Sequence, residues 1–259
     1  MRSNLVKTLL ATKDKHILGT WLTLGDELSP RILSRSGFDF LVLDLEHAAI
    51  DCSRAASIFA HIADSDCIPL CRVTDGSIEN IKRALDSGAF GIICPMVESL
   101  EQARAIIDAA YYPPLGRRSV GPGLHYLNFR TSDTEYKANA NSFVSVILMV
   151  ESPEGVASVH EWAALDGVDA VFIGPADLRA QMSRKLPNGR APTEEEFEDM
   201  ISVVEKACES VGCATGIHAF TSADARLRLS QGFRFITIGS DVTFLSTAAV
   251  NTIRDISSP

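Results

Sequence analysis

Short apolar runs alternate with longer amphipathic patterns along the whole chain, and this alternation limits the fold more than any other feature of the sequence. The strand-like runs are 17–22, 38–43, 68–72, 91–94, 144–150, 170–173, 214–217 and 235–238. Helical spacing occupies 27–36, 53–63, 77–87, 99–110, 153–165, 176–182, 193–211 and 222–231, with a last pattern after Asp241. Strand then helix, eight times in 259 residues, predicts an α/β fold built as a single closed (β/α)8 barrel. Gly37, Gly88, Gly167, Gly212 and Gly232 each stand between a helical pattern and the next strand, where glycine can take the left-handed conformation that ends a helix. Thr193 and Glu196 form a capping-box pair, so the acidic run 194–196 reads as a helix start rather than a metal site. The interval 111–142, rich in proline and glycine, is too long for an ordinary connection and is expected to be a functional loop within one domain, 1–259.

Charge and composition exclude several classes. Thirty-three acidic against 24 basic side chains leave a formal charge of −9, which argues against general binding to nucleic acid or to anionic membrane and points to a small-molecule or protein partner. No apolar run approaches the ~20 residues of a membrane helix. Near the start, Leu5, Val6, Leu9 and Leu10 have helical spacing, which Lys7, Lys13, Asp14 and Lys15 interrupt before a signal-peptide core can form. A helix packed on the domain is expected there. The cysteines (Cys52, Cys67, Cys71, Cys94, Cys208 and Cys213) lack Cys-x-x-Cys spacing, so buried reduced thiols and a cytoplasmic location are expected. No lysine ends a strand run, which disfavours a Schiff-base lysine inside the barrel. Strand runs seven and eight end without a glycine-rich phosphate loop, and no dinucleotide or ATP fingerprint occurs.

In such a barrel the C-terminal strand ends build the active site, so polar residues there are the candidates. The second run ends in Leu43-Asp44-Leu45-Glu46-His47, with Asp44 and Glu46 on one side of the strand and His47 opening the loop. A self-satisfied surface cluster is the bland alternative. Arg72 ends the third run, either for an anionic substrate or simply to pair with one of those acids. Glu151 follows the fifth run and Asp177 the sixth. Each alone reads as a helix cap, but on neighbouring strands the two hard oxygen donors suit Mg2+ or Mn2+ with positions left for water or substrate.

These residues resemble the HpcH/HpaI aldolase family, metal-dependent class II pyruvate aldolases that include 4-hydroxy-2-oxoheptanedioate aldolase. The stretches that carry the resemblance are Gly19-Thr20-Trp21, Asp44-Leu45-Glu46-His47, Cys71-Arg72-Val73, Ala84 to Ala89, Tyr112-Pro113-Pro114-Leu115-Gly116, Val150-Glu151-Ser152 and Gly174-Pro175-Ala176-Asp177-Leu178. The resemblance implies a TIM barrel of the phosphoenolpyruvate/pyruvate type, assembled as a homo-oligomer, trimer or hexamer. It implies that His47 is the general base, acting through a water on the metal, and that Arg72 stabilises the enolate. Glu151 and Asp177 then match the metal ligands, and the backbone at Ala176 and Asp177 matches the cradle for the pyruvoyl carboxylate. Trp21 and Met149 fall among the substrate-contacting positions. Asp86 matches the acid that raises the histidine's basicity, reaching it across a subunit contact. Two departures stand out. Met149 occupies a position where glutamine is usual, and the run Gly116-Arg117-Arg118-Ser119 is similar to macrophomate synthase, a decarboxylating fungal relative.

The expected activity is a divalent-metal-dependent carbon–carbon lyase that cleaves or forms 4-hydroxy-2-oxo acids through a pyruvate enolate. Oxaloacetate decarboxylation, with or without capture of the enolate, is the nearest alternative. A CoA-ester lyase shares the logic but lacks a basic patch for the CoA phosphates, and a catalytically silent 2-oxo-acid-binding barrel remains a fourth reading. Asp44, Glu46 and Arg118 are secondary site candidates, and Arg117 or Arg118 is expected to bring positive charge near the substrate.

Overall fold

In a computed structural model, which describes residues 1–12, 15–123 and 125–257, eight parallel strands close into a barrel in chain order. They are β1 (Ile17–Leu22), β2 (Phe40–Asp44), β3 (Ile68–Arg72), β4 (Gly91–Cys94), β5 (Ser145–Val150), β6 (Ala170–Ile173), β7 (Ala214–Ala219) and β8 (Phe235–Ser240). The helices are α1 (Leu5–Leu10), α2 (Leu28–Leu33), α3 (Cys52–Ala63), α4 (Ile78–Asp86), α5 (Leu100–Ala110), α6 (Asp133–Phe143), α7 (Pro153–Trp162), α8 (Pro175–Lys185), α9 (Glu194–Val211), α10 (Ser222–Ser230) and α11 (Asp241–Ser257). The predicted (β/α)8 barrel is the observed fold.

The strands are apolar along most of their length because both faces are covered. Alternate residues divide between two cores: Phe40, Val42, Ile147 and Met149 fill the barrel, while Leu41, Leu43, Val146 and Leu148 pack outward on the helices. Gly19 makes that interior possible. A methyl group at Gly19 would lie 2.3 Å from Phe40 Cε2, so only glycine lets Phe40 cross the barrel and stack on Phe235, with ring centroids 4.4 Å apart. Extending the inward parity to the strand ends reaches Trp21, Asp44, Arg72, Glu151 and His218, all at the same mouth.

The other mouth is closed by the N-terminal segment. Val6 and Leu10 of α1 are buried with Ile17, Phe40 and Ile68, and the Asn4 amide donates to the Phe90 and Phe143 carbonyls and to Ser145 Oγ. This is the packed helix expected from the sequence; Lys13 and Asp14, which interrupt its pattern, lie outside the described residues. Gly37, Gly88, Gly167, Gly212 and Gly232 all have positive φ, between 74° and 105°. The Thr193–Glu196 capping box forms, and Glu194 and Glu196 pair with Arg179 and Arg190, so the acidic run is structural. All six cysteines are free thiols. No described helix is long and apolar enough to cross a membrane.

Several boundaries differ from the expectation. The seventh and eighth strands run two residues further, to Ala219 and Ser240. Interval 111–142 contains a 3-10 turn and most of α6, whose start is capped by Ser132 accepting from the Glu135 amide. The α6 residues carry almost no apolar stripe, burying only Tyr136 and Ala140, which is why hydrophobic periodicity passes over this helix. α11 has one buried residue, Asp241, while Leu245, Val250, Ile253 and Ile256 are 57–76 % exposed.

Candidate active site

The C-terminal mouth encloses a cavity of about 370 Å³. Asp44, His47, Arg72, Glu151, Ala176 and Asp177 line it, as do Trp21 and Met149. Glu46 stands behind this wall, 3.3 Å from Arg72 and 3.7 Å from His47.

Arg72 organises the β2–β3 side. Its Nε and Nη2 donate to the two Asp44 oxygens at 2.9 and 2.6 Å, and its guanidinium lies 4.5 Å from the Trp21 ring. Burial alone lowers an arginine's pKa, but here the Asp44 and Glu46 carboxylates outweigh it and hold the group charged. Asp44 also accepts from the Glu46 and His47 amides, which shapes the turn that brings His47 to the mouth with its side chain 62 % exposed. The alternative of an arginine that merely pairs with acids is half right. Arg72 is bidentate to Asp44 and still faces the cavity.

The β5–β6 side carries excess negative charge. Burial raises the Glu151 carboxyl to about 7; the Met96 amide opposes this, and the nearby Asp177 and Glu46 carboxylates reinforce it. Glu151 Oε2 accepts from the Met96 amide at 2.8 Å, and Met96 sits in the left-handed region at φ +53°, a conformation that costs energy for a non-glycine residue. The buried Glu46 Oε2 accepts no hydrogen bond. A desolvated carboxylate with a second one beside it fits a hard divalent cation, with Glu151 and Asp177 as the protein ligands. Among the described residues no group of three or more His, Cys, Asp or Glu side chains is placed to hold a metal ion.

Two backbone features complete this side. Gly174 abuts Glu151: a Cβ there would lie 2.4 Å from Oε1. Gly174→Ala is therefore expected to push the carboxylate aside and weaken Mn2+ affinity about tenfold or more, checked by titrating the metal-free variant with Mn2+. The amides of Ala176 and Asp177 precede the first helical hydrogen bond of α8, Leu178 to Gly174, and no side chain caps them. In contrast α3, α4, α5, α7, α9 and α10 are capped by Asp51, Ser77, Ser99, Ser152, Thr193 and Thr221. The open N-terminus of α8 at the cavity wall suits a carboxylate.

These features agree with what the chain resembles. The family model described as HpcH/HpaI aldolase/citrate lyase matches residues 18–248. The chain belongs to this family. It is 35 % identical over 251 residues to a hydroxypyruvate/pyruvate aldolase of Roseovarius nubinhibens, covering 97 % of this chain and 96 % of that one. A crystal structure of an HpcH/HpaI aldolase/citrate lyase family protein from Burkholderia cenocepacia J2315 superimposes with a TM-score of 0.90 at 33 % identity, over 99 % of this chain and 100 % of the other. Macrophomate synthase, at 24 % identity and TM-score 0.83 over 97 % and 87 % of the two chains, shares the fold. Membership makes the protein an enzyme of the carbon–carbon lyase class.

Some candidates stand elsewhere. Arg118 is fully buried, donates to Asp86 at 2.6 Å and to Tyr136, and lies over the Tyr112 ring, so it brings no charge to the cavity. Arg117 pairs with Asp108 on the surface. Asp86 ends α4, where it holds Arg118 rather than any residue of the cavity wall. None of the described residues of interval 111–142 lines this cavity. The inward position the sequence reading missed is His218. Its run was expected to end at residue 217, yet the parity of Ala214 and Gly216 places His218 inside the barrel mouth.

Proposed function

We propose that this chain is a divalent-cation-dependent aldolase that cleaves or forms 4-hydroxy-2-oxo acids through a pyruvate enolate. The observation that carries the reading is the convergence on one cavity of Glu151, Asp177, Arg72, His47 and the uncapped amides of α8. Mg2+ or Mn2+ held by Glu151 and Asp177 would supply Lewis acidity at the substrate's keto oxygen. The amides of Ala176 and Asp177 bind and orient the 2-oxo acid carboxylate. Arg72, kept charged and rigid by Asp44, faces the negative charge that develops as the bond to C3 breaks. His47, exposed at the mouth, removes the proton from the C4 hydroxyl in the cleavage direction. Met149, 1 % exposed, presents a thioether where an amide would donate, so orientation falls to Arg72 and the α8 amides.

A screen for pyruvate release from oxaloacetate and several 4-hydroxy-2-oxo acids, with cation supplied and withheld, tests this reading. Cation-dependent release from the hydroxy acids supports it, and release from oxaloacetate alone would replace it by decarboxylation. His47→Ala sharpens the distinction, because decarboxylation needs no base at a C4 hydroxyl. Aldol cleavage should fall about 10²–10⁴-fold while urea-unfolding stability stays within ~0.5 kcal/mol of the parent, as expected for an exposed side chain.

The exposed apolar residues of α11 support a homo-oligomer in which another copy covers this helix, a trimer or hexamer. Light scattering on the purified chain checks the state. Four buried free thiols suit the reducing cytoplasm.

A further inference from the structure

The cavity has a second half that the proposed lyase chemistry leaves unused. Its carboxylates lie on β2, just after β5 and at the start of α8, whereas the wall at the ends of β7, β8 and β1 carries His218, Phe220, Ser240, Thr243, Thr23 and Trp21. No described lysine lines the cavity, and its one arginine, Arg72, is already paired with Asp44 and Glu46.

Within this wall Trp21 and Thr237 hold the His218 ring. The Trp21 indole N–H can only donate, and it lies 2.9 Å from Thr237 Oγ1 and 3.2 Å from His218 Nδ1. Thr237 is fully buried, and its Oγ1 lies 3.0 Å from His218 Nδ1. With the indole donating to the hydroxyl, the hydroxyl's own proton goes to Nδ1, which accepts it. In this arrangement the ring proton sits on Nε2. That nitrogen has no protein partner among the described residues and is not sealed off, so it opens on the cavity. Burial pushes the imidazole down to about 4, with Arg72 acting in the same direction and Asp224 against it, and the ring is neutral at neutral pH.

We infer that His218 Nε2–H is the group that selects the aldehyde partner of the pyruvate enolate, and that the preferred partner is an uncharged hydroxyaldehyde. A neutral donor fixed by Trp21 and Thr237 recognises a hydroxyl on the carbon next to the aldehyde. Phe220 and Trp21 cover the adjoining carbon atoms. An acceptor bearing its own carboxylate would find no free cationic side chain among the described residues of this wall. An acceptor lacking the hydroxyl would leave the imidazole N–H unpaired in a closed complex, which is the stronger basis for discrimination.

This inference rests on the aldolase reading, and the test separates the two. Addition of pyruvate to glycolaldehyde, acetaldehyde and glyoxylate is assayed in the wild type, His218→Leu and His218→Gln, each rate being divided by that enzyme's own exchange of pyruvate C3 protons with D2O. The wild type is expected to favour glycolaldehyde over both others. In His218→Leu the glycolaldehyde-to-acetaldehyde ratio of kcat/KM should fall about tenfold, through KM. His218→Gln, whose amide can still donate, should recover part of it. An unchanged ratio in His218→Leu, with exchange present, overturns the assignment of His218, and glyoxylate used as well as glycolaldehyde overturns the uncharged class. Absence of exchange in the wild type removes the aldolase reading and this inference with it.

Discussion

Glu151→Gln is expected to lower cation-dependent cleavage by about 10³-fold or more and, in the same molecule, to stabilise the metal-free barrel above neutral pH. Both effects have one cause. The cavity desolvates this carboxylate and sets Asp177 and Glu46 beside it, raising its pKa to about 7. A carboxyl whose folded pKa is raised binds its proton more tightly in the folded state. Its unfavourable contribution is therefore absent below the unfolded value near 4.5, grows as pH rises, and is complete above about 7. The pKa difference corresponds to about 3 kcal/mol at pH 8, an upper bound if the carboxylate relaxes toward water. Urea unfolding of the metal-free wild type and variant at pH 4 and pH 8 checks this: the curves should nearly coincide at pH 4 and separate at pH 8, with the glutamine variant the more stable. Equal stabilities at both values would mean that the site does not strain this group. A structural carboxylate lost from a well-satisfied cluster would instead destabilise.

Arg72→Ala is expected to fail in the opposite sense, losing activity and stability together. Asp44 is 2 % exposed and gives both oxygens to this guanidinium, and Glu46 Oε2 has only its 3.3 Å approach to Arg72 and the 3.7 Å approach to His47. Removing the arginine strands buried charge, for which about 3–5 kcal/mol of destabilisation is typical. Turnover should fall about 10²–10³-fold for loss of an electrostatic group facing the developing oxyanion. Arg72→Lys keeps the charge but not the two-pronged geometry, so its stability should lie between the two while its activity stays low. The His47 substitution, which costs activity without stability, provides the contrast: an arginine that were only structural would lose stability while the residual folded fraction kept normal turnover per molecule.

The parts of this molecule set by repetition were legible in its sequence. Eight apolar runs and the glycines after the helices located every strand, because a buried parallel strand is a short continuous apolar run and a positive-φ stop admits few residues other than glycine. The charged strand ends were legible too, since Asp44, Arg72 and Glu151 continue the inward parity of their strands and leave no apolar explanation for themselves. His218 was less visible. It follows an ordinary Gly-Ile pair, and its meaning depends on a strand that continues two residues past its apolar part and on Trp21 and Thr237, 197 and 19 positions away. Arg118 was harder to place: two arginines in a glycine-rich interval near the substrate-contacting stretches read as charge for an anionic substrate, yet Arg118 turns inward against Tyr112 and Tyr136. α6 escaped notice because its stability comes from the Ser132 cap and two buried residues rather than from an amphipathic stripe.

Exchange of the C3 protons of pyruvate with D2O, followed by proton NMR on the full chain, tests the central claim most directly, because it reads formation of the enolate without any acceptor. Exchange is expected with Mg2+ or Mn2+ present, with loss on chelation and in Glu151→Gln. Exchange that persists undiminished after chelation and in Glu151→Gln, or no exchange while pyruvate is still released from 4-hydroxy-2-oxo acids, would contradict the assignment of this cavity as a cation-assisted enolate site.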